Sequence, residues 1–131
     1  MKLLVGFDGS NVAKDALKLA LSKAEKYGGE IEIVKSLLQS HTLKYEEIRS
    51  EEQELEKEVK EIWGSSKVEF KTHVIVTQMT SGEALVDFAK EHKAEEVIIG
   101  IKRRSKVSKL VFGSTAQHII LNAPCPVLTI R

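Results

Sequence analysis

Five short apolar runs punctuate the chain: KLLVGF (2–7), EIEIVKS (30–36), EFKTHVIV (69–76), EEVIIG (95–100) and PVLTI (126–130). Between them the apolar residues recur at three and four positions, the period of a helix with one buried face. In the first such stretch Ala13, Ala16, Leu17, Ala20, Ala24 and Tyr27 form the stripe, and Gly28-Gly29 ends it. Leu55, Val59, Ile62 and Trp63 mark the second. Ala84, Leu85, Phe88 and Ala89 mark the third, behind Thr80 and Glu83 at capping-box spacing. A fourth opens at Gly113-Ser114 and stops before Pro124.

Strictly alternating strands and helices require right-handed crossovers, hence a parallel sheet with helices on both faces. The runs LLV, VIIG and VLTI are almost continuously apolar, as burial on two faces demands. In such sheets a ligand binds beyond the strand carboxyl ends, where the strand order reverses. The unusual residues come after strands one and four: Asp8 after the first, and the segment 100–114 after the fourth. If those strands are neighbours, in the order 3-2-1-4-5, both segments meet at one crevice.

Asp8, in VGFDGSN, admits three roles: nucleophile, metal ligand or clamp for a bound ligand. Aspartyl-phosphate enzymes carry D-x-D-G-[ST] after their first strand, but the nucleophile position here is Gly6. Their acidic metal ligands after strand four are replaced by IKRRSKVSK, with five basic residues and no acid. A phospho-receiver domain fits no better, because its acidic pair, its aspartate after strand three and its lysine after strand five are all missing. Asp8 also has a simpler use, accepting N–H groups of the turn it begins.

Neither GxxxxGK[ST] nor GxGxxG after the first strand is present. What is present is GIKRRSKVSKLVFGST, a basic loop running from Gly100 into a helix N-terminus at Gly113-Ser114. Backbone N–H groups at Ser114, Thr115 and Ala116, with the helix dipole behind them, suit a phosphate. Ser114 and Gln117 also have the spacing of a capping box, so Ser114 has a purely structural reading. The acidic stretch 46–61 reads as a solvated helix face, and His41, His73, His92 and His118 make no zinc-binding helix pair. Cys125, between two prolines, reads as a small buried filler.

Length and composition narrow the class. The 131 residues suit a single domain, 42% of them hydrophobic and 30% charged, as in a globular protein. A formal charge of +1 predicts no nucleic-acid partner. The run MKLLVGF is too short for a signal peptide or a membrane span, and a lone cysteine forms no internal disulfide. A cytoplasmic protein, not attached to a membrane, is expected.

The N-terminal strand with Asp8, then VIIG, a loop and FGSTAQHIILNAPCPVLTI, together resemble the universal stress protein family over essentially the whole chain. The family's nucleotide signature reads G-x2-G-x9-G-[ST]. Gly100 and Gly113-Ser114 hold its outer positions, whereas the inner glycine is Arg103. The resemblance implies an open five-stranded parallel sheet in the order 3-2-1-4-5, Rossmann-like and of the adenine nucleotide alpha hydrolase-like type. It implies a regulatory module that binds ATP or AMP, with magnesium only as the nucleotide's counter-ion and at most slow ATP hydrolysis. Asp8 would accept the ribose hydroxyls, Gly100, Gly113, Ser114 and Thr115 would approach the phosphates, and Phe7 and Ser36 would border the adenine. Arg103 would replace a backbone contact to phosphate by a side-chain contact. A homodimer through the C-terminal strand and a regulatory partner protein are also implied. The competing reading is a dimeric interaction protein of the same fold that does not bind nucleotide.

Overall fold

The computed structural model describes residues 1–102 and 113–131. In chain order the described elements are β1 (Lys2–Gly6), α1 (Asn11–Tyr27), β2 (Glu30–Leu38), α2 (Tyr45–Trp63), β3 (Phe70–Thr77), α3 (Ser81–Glu91), β4 (Glu96–Gly100), α4 (Ser114–Asn122) and β5 (Val127–Ile130). The strands form one parallel sheet in the order β3-β2-β1-β4-β5. The order therefore reverses between β1 and β4, as the placement of the unusual residues requires.

Strand alternation sends neighbouring side chains to opposite faces, and two apolar layers result. On one face Leu3, Val5, Ile31, Ile33 and Ile98 pack with the stripes of α1 and α2. On the other, Leu4, Val34, Val97 and Ile99 pack with α3 and with Ile119 of α4. The predicted stripes hold with two changes. Leu21 joins the buried face of α1, while Tyr27 is 67% exposed. Its ring lies instead beneath the Lys26 ammonium, 5.3 Å from the ring centroid. β5, at the sheet edge, is only partly buried. β2 runs two residues past Ser36 because β3 continues to pair with it there, Leu37 with Val76 and Leu38 with Thr77.

Caps fix the helix starts at the carboxyl end of the sheet. Ser10 Oγ accepts the Ala13 amide of α1 at 3.2 Å. Thr80 and Glu83 form the predicted capping box of α3, and the hydrogen bonds from Thr80 hold the Glu83 carboxyl below its usual range. At the start of α4 the expectation fails: Gly113 is the cap residue, in extended backbone, so Ser114 is already helical and caps nothing. The capping role requires extended dihedrals, and Gly113 has them.

The opposite, N-terminal end of the sheet holds a polar cluster that the sequence does not announce. Glu32 on β2 has a side chain only 6% exposed, and its Oε1 lies 3.1 Å from His73 Nε2 and 3.8 Å from His92 Nδ1. Lys2 Nζ sits 3.7 Å from its other oxygen and donates to the His92 carbonyl at 3.1 Å. Phe88 stacks on the His92 ring with centroids 3.8 Å apart. The carboxylate thus ties β1, β2, β3 and the end of α3 together. Glu32→Ala, which leaves these donors without their shared acceptor, is expected to lower unfolding free energy by about 1–3 kcal/mol in urea titrations.

Candidate functional site

Beyond the ends of β1 and β4 the chain encloses a crevice of about 370 Å³, within the range of small-molecule sites. Gly6, Phe7 and Asp8 come from β1 and its turn, Gly100, Ile101 and Lys102 from the end of β4 and the chain just beyond it, and Gly113 to Ala116 from the start of α4. Lys35 and Ser36 of β2 and Ser81 of α3 close the third side. Phe7, Asp8, Ser36, Gly100, Gly113, Ser114 and Thr115 are thereby brought to one cavity. Arg103 lies outside the described residues.

Asp8 is held on both oxygens. Its Oδ1 accepts the Ser10 amide at 3.0 Å, the turn role read from the sequence. Its Oδ2 lies 2.9 Å from the Lys102 ammonium. Gly9, at φ +83, supplies the left-handed residue that returns the chain so that Ser10 can both donate to Asp8 and cap α1. Partial burial pushes the Asp8 carboxyl up, but hydrogen bonds from Ser10 and the ammonium of Lys102 outweigh it and bring the pKa down to about 2. At neutral pH the group is an ionised acceptor at the mouth of the crevice.

Facing it, the first amides of α4 have no intrahelical acceptors. The two other helix starts beside the crevice are capped by Ser10 and Thr80, whereas Gly113 brings no side chain to α4. Among the described residues no side chain caps this end, so the amides of Ser114, Thr115 and Ala116 and the positive end of the helix dipole suit an anion. Phe7 is buried at the floor, its amide donating to the Val34 carbonyl at 2.9 Å, which extends the β1–β2 pairing by one residue. Ser36 Oγ donates to Ser81 Oγ at 3.0 Å.

Three polar lining residues, Lys102, Ser81 and Lys35, were not singled out by sequence reasoning. Lys102 was present only as part of the basic run. Ser81 had a usable signal, since the Thr80 cap puts the next residue at the carboxyl end of the sheet. Lys35 gave none. It pairs with Glu51 of α2 at 2.6 Å.

The remaining candidates lie elsewhere. His73 and His92 belong to the Glu32 cluster, and Asn122 Nδ2 donates to His118 Nδ1 at 3.3 Å. Most glutamates of α2 face solvent. Cys125 is partly rather than fully buried, and burial, with Glu96 nearby, raises its thiol pKa and disfavours the thiolate.

Because the folded-state pKa of Asp8 is depressed, its contribution to stability is fully present above the ordinary value of 3.8 and fades as pH falls towards about 2. The half-exposed side chain keeps that contribution small. The Asp8 carboxyl carbon, followed by NMR, is expected to titrate with a midpoint near 2. A midpoint at the ordinary 3.8 or above would contradict the described contacts.

The fold recurs in known proteins. Residues 1–131 match the model of the universal stress protein family. A universal stress protein of Methanocaldococcus jannaschii is 27% identical over 143 residues, covering 99% of this chain and 81% of the relative. A universal stress protein structure from Archaeoglobus fulgidus superposes with a TM-score of 0.82 at 31% identity, covering 100% of this chain and 93% of that one. A structure of the universal stress protein from the same organism in complex with dAMP superposes at 0.80 with 30% identity, covering 100% and 98%. The match over the full length and the strand order agree: the chain belongs to the universal stress protein family.

Proposed function

We propose that the crevice between β1 and β4 binds an adenine nucleotide, ATP or AMP, and that the protein is a regulatory module whose nucleotide state is read by a partner protein. One observation carries this reading. An ionised carboxylate, Asp8, faces the uncapped N-terminus of α4 across a cavity of ligand size. A nucleotide presents the matching pair of groups, hydroxyl donors on its sugar and anionic oxygens on its phosphates.

In this reading Asp8 accepts a ribose hydroxyl, and the backbone at Gly100, Gly113, Ser114 and Thr115 approaches the phosphates. Phe7 and Ser36 border the adenine. The Arg103 guanidinium adds a side-chain contact to phosphate. Magnesium enters only as the nucleotide's counter-ion. The complex of the Archaeoglobus fulgidus relative with dAMP supports an adenine nucleotide as the ligand class.

The second reading, an interaction protein whose crevice is indifferent to nucleotide, is favoured by one specific contact. The Lys102 ammonium already pairs with the Asp8 oxygen that the Ser10 turn leaves uncommitted. Calorimetric titration with ATP and AMP separates the two. Binding to the wild type that falls about ten- to a hundredfold in Asp8→Ala, the worth of a hydrogen bond to a charged group, supports the nucleotide reading. No binding at millimolar concentration removes it. Hydrolysis of ATP is expected to stay below about one turnover per second, the low end for enzymes.

We also propose a homodimer through β5. Val97 donates to the Pro126 carbonyl at 3.0 Å and Ile101 to the Ile130 carbonyl at 2.7 Å, so the alternate residues Val127 and Thr129 turn their backbone groups away from β4. That free edge can pair with a second copy about a two-fold axis. Light scattering at micromolar concentration is expected to give a dimer for the wild type and a shift towards monomer for Val127→Pro, which removes an outward donor. A monomeric wild type would contradict the proposal.

A further inference from the structure

Lys102 differs from the rest of the crevice lining in what it does to the ligand site. Its ammonium lies 2.9 Å from Asp8 Oδ2, while Oδ1 is taken by the Ser10 amide. Each Asp8 oxygen therefore already has one donor, a backbone amide on Oδ1 and a cation on Oδ2. The base of this side chain is fixed. Ile101 is buried and its amide donates to the Ile130 carbonyl at 2.7 Å, so the sheet's hydrogen bonding reaches the residue before Lys102. The tip is free to move, because 65% of the side chain is exposed and four methylenes separate the ammonium from the backbone.

An exposed lysine–carboxylate pair of this kind is weak. It yields readily to a stronger partner, and a phosphate that enters between Asp8 and the amides of α4 is one: it carries more charge than a carboxylate and accepts in several directions. A nucleoside has no such group. To hydrogen-bond Asp8 it must share the carboxylate with the ammonium or displace the ammonium to solvent, and it brings no anion to replace what Lys102 loses.

We propose that Lys102 is the specificity-determining residue of the crevice. It bridges to Asp8 and exchanges that carboxylate for the ligand's phosphate, so that the site admits nucleoside phosphates and discriminates against nucleosides. The inference rests on the nucleotide reading of the crevice and deepens it. The Lys102–Asp8 contact then counts against unphosphorylated ligands instead of against nucleotides in general.

The test is calorimetric titration of wild type, Lys102→Met and Lys102→Arg with AMP and adenosine at one pH and one ionic strength. Wild type is expected to prefer AMP over adenosine by about tenfold or more, a ratio corresponding to one charged hydrogen bond. Lys102→Met should lose affinity for AMP while adenosine binds as well as before or better, and Lys102→Arg should keep most of the preference. An unchanged ratio in Lys102→Met overturns the exchange and leaves the nucleotide reading intact. So does an equal loss for both ligands, the signature of a merely structural role. Absence of AMP and adenosine binding in the wild type overturns both readings together. A circular dichroism melt confirms that each variant is folded.

Discussion

The end of β4 meets the first turn of α1 at a distance that admits no side chain. A Cβ placed on Gly100 would lie 2.5 Å from the Val12 carbonyl oxygen and 2.7 Å from its carbon, both backbone atoms that cannot rotate away. This approach locks α1 over the junction of β1 and β4. The turn carrying Asp8 and the exit from β4 carrying Lys102 are then held face to face. Gly100 belongs to the resemblance as part of a phosphate-binding signature, yet its lack of a side chain is already required by this helix–strand contact. A similar constraint operates between α3 and α4, where a Cβ on Gly82 would lie 3.1 Å from the Thr115 carbonyl oxygen. The second contact sets how closely the first turn of α4 lies against α3.

The sheet separates two electrostatic environments. At its N-terminal end Glu32 gathers Lys2, His73 and His92 into a largely internal cluster that joins four elements. At its carboxyl end Asp8 is half exposed, with one oxygen committed to its own turn and the other to an exposed lysine. The first arrangement contributes mainly to holding the fold. The second contributes little to stability, because exposed pairs are weak, and for the same reason its lysine can be reassigned to a ligand. Parallel topology explains the division, since every described helix starts at the carboxyl end of a strand and presents its positive pole there.

Most of the fold was legible because its signals are periodic. Five apolar runs and four helical stripes fix the alternation, and the sheet order comes from asking which strand ends must meet. The misreadings fall where local pattern and three-dimensional context part company. Tyr27 continues a helical period but has no core to enter. Ser114 has capping-box spacing, yet the cap position belongs to Gly113 one residue earlier. The Glu32 cluster is invisible in sequence because its members come from residues 2, 32, 73 and 92, brought together only by sheet register. Within the crevice, Asp8 and Gly113 stood out by their chemistry. Lys102 did not, since one lysine in a basic run cannot be told from its neighbours until a carboxylate is seen beside it.

The central claim is that the crevice between β1 and β4 is a nucleotide site. Amide NMR spectra of the protein titrated with AMP test it most directly, because they locate binding as well as detect it. The account predicts saturable shifts concentrated at Asp8, Gly9, Lys102 and Ser114 to Ala116, with little change around Glu32 or along β5. Shifts that are absent at millimolar AMP, or that centre on residues outside the crevice, would contradict it.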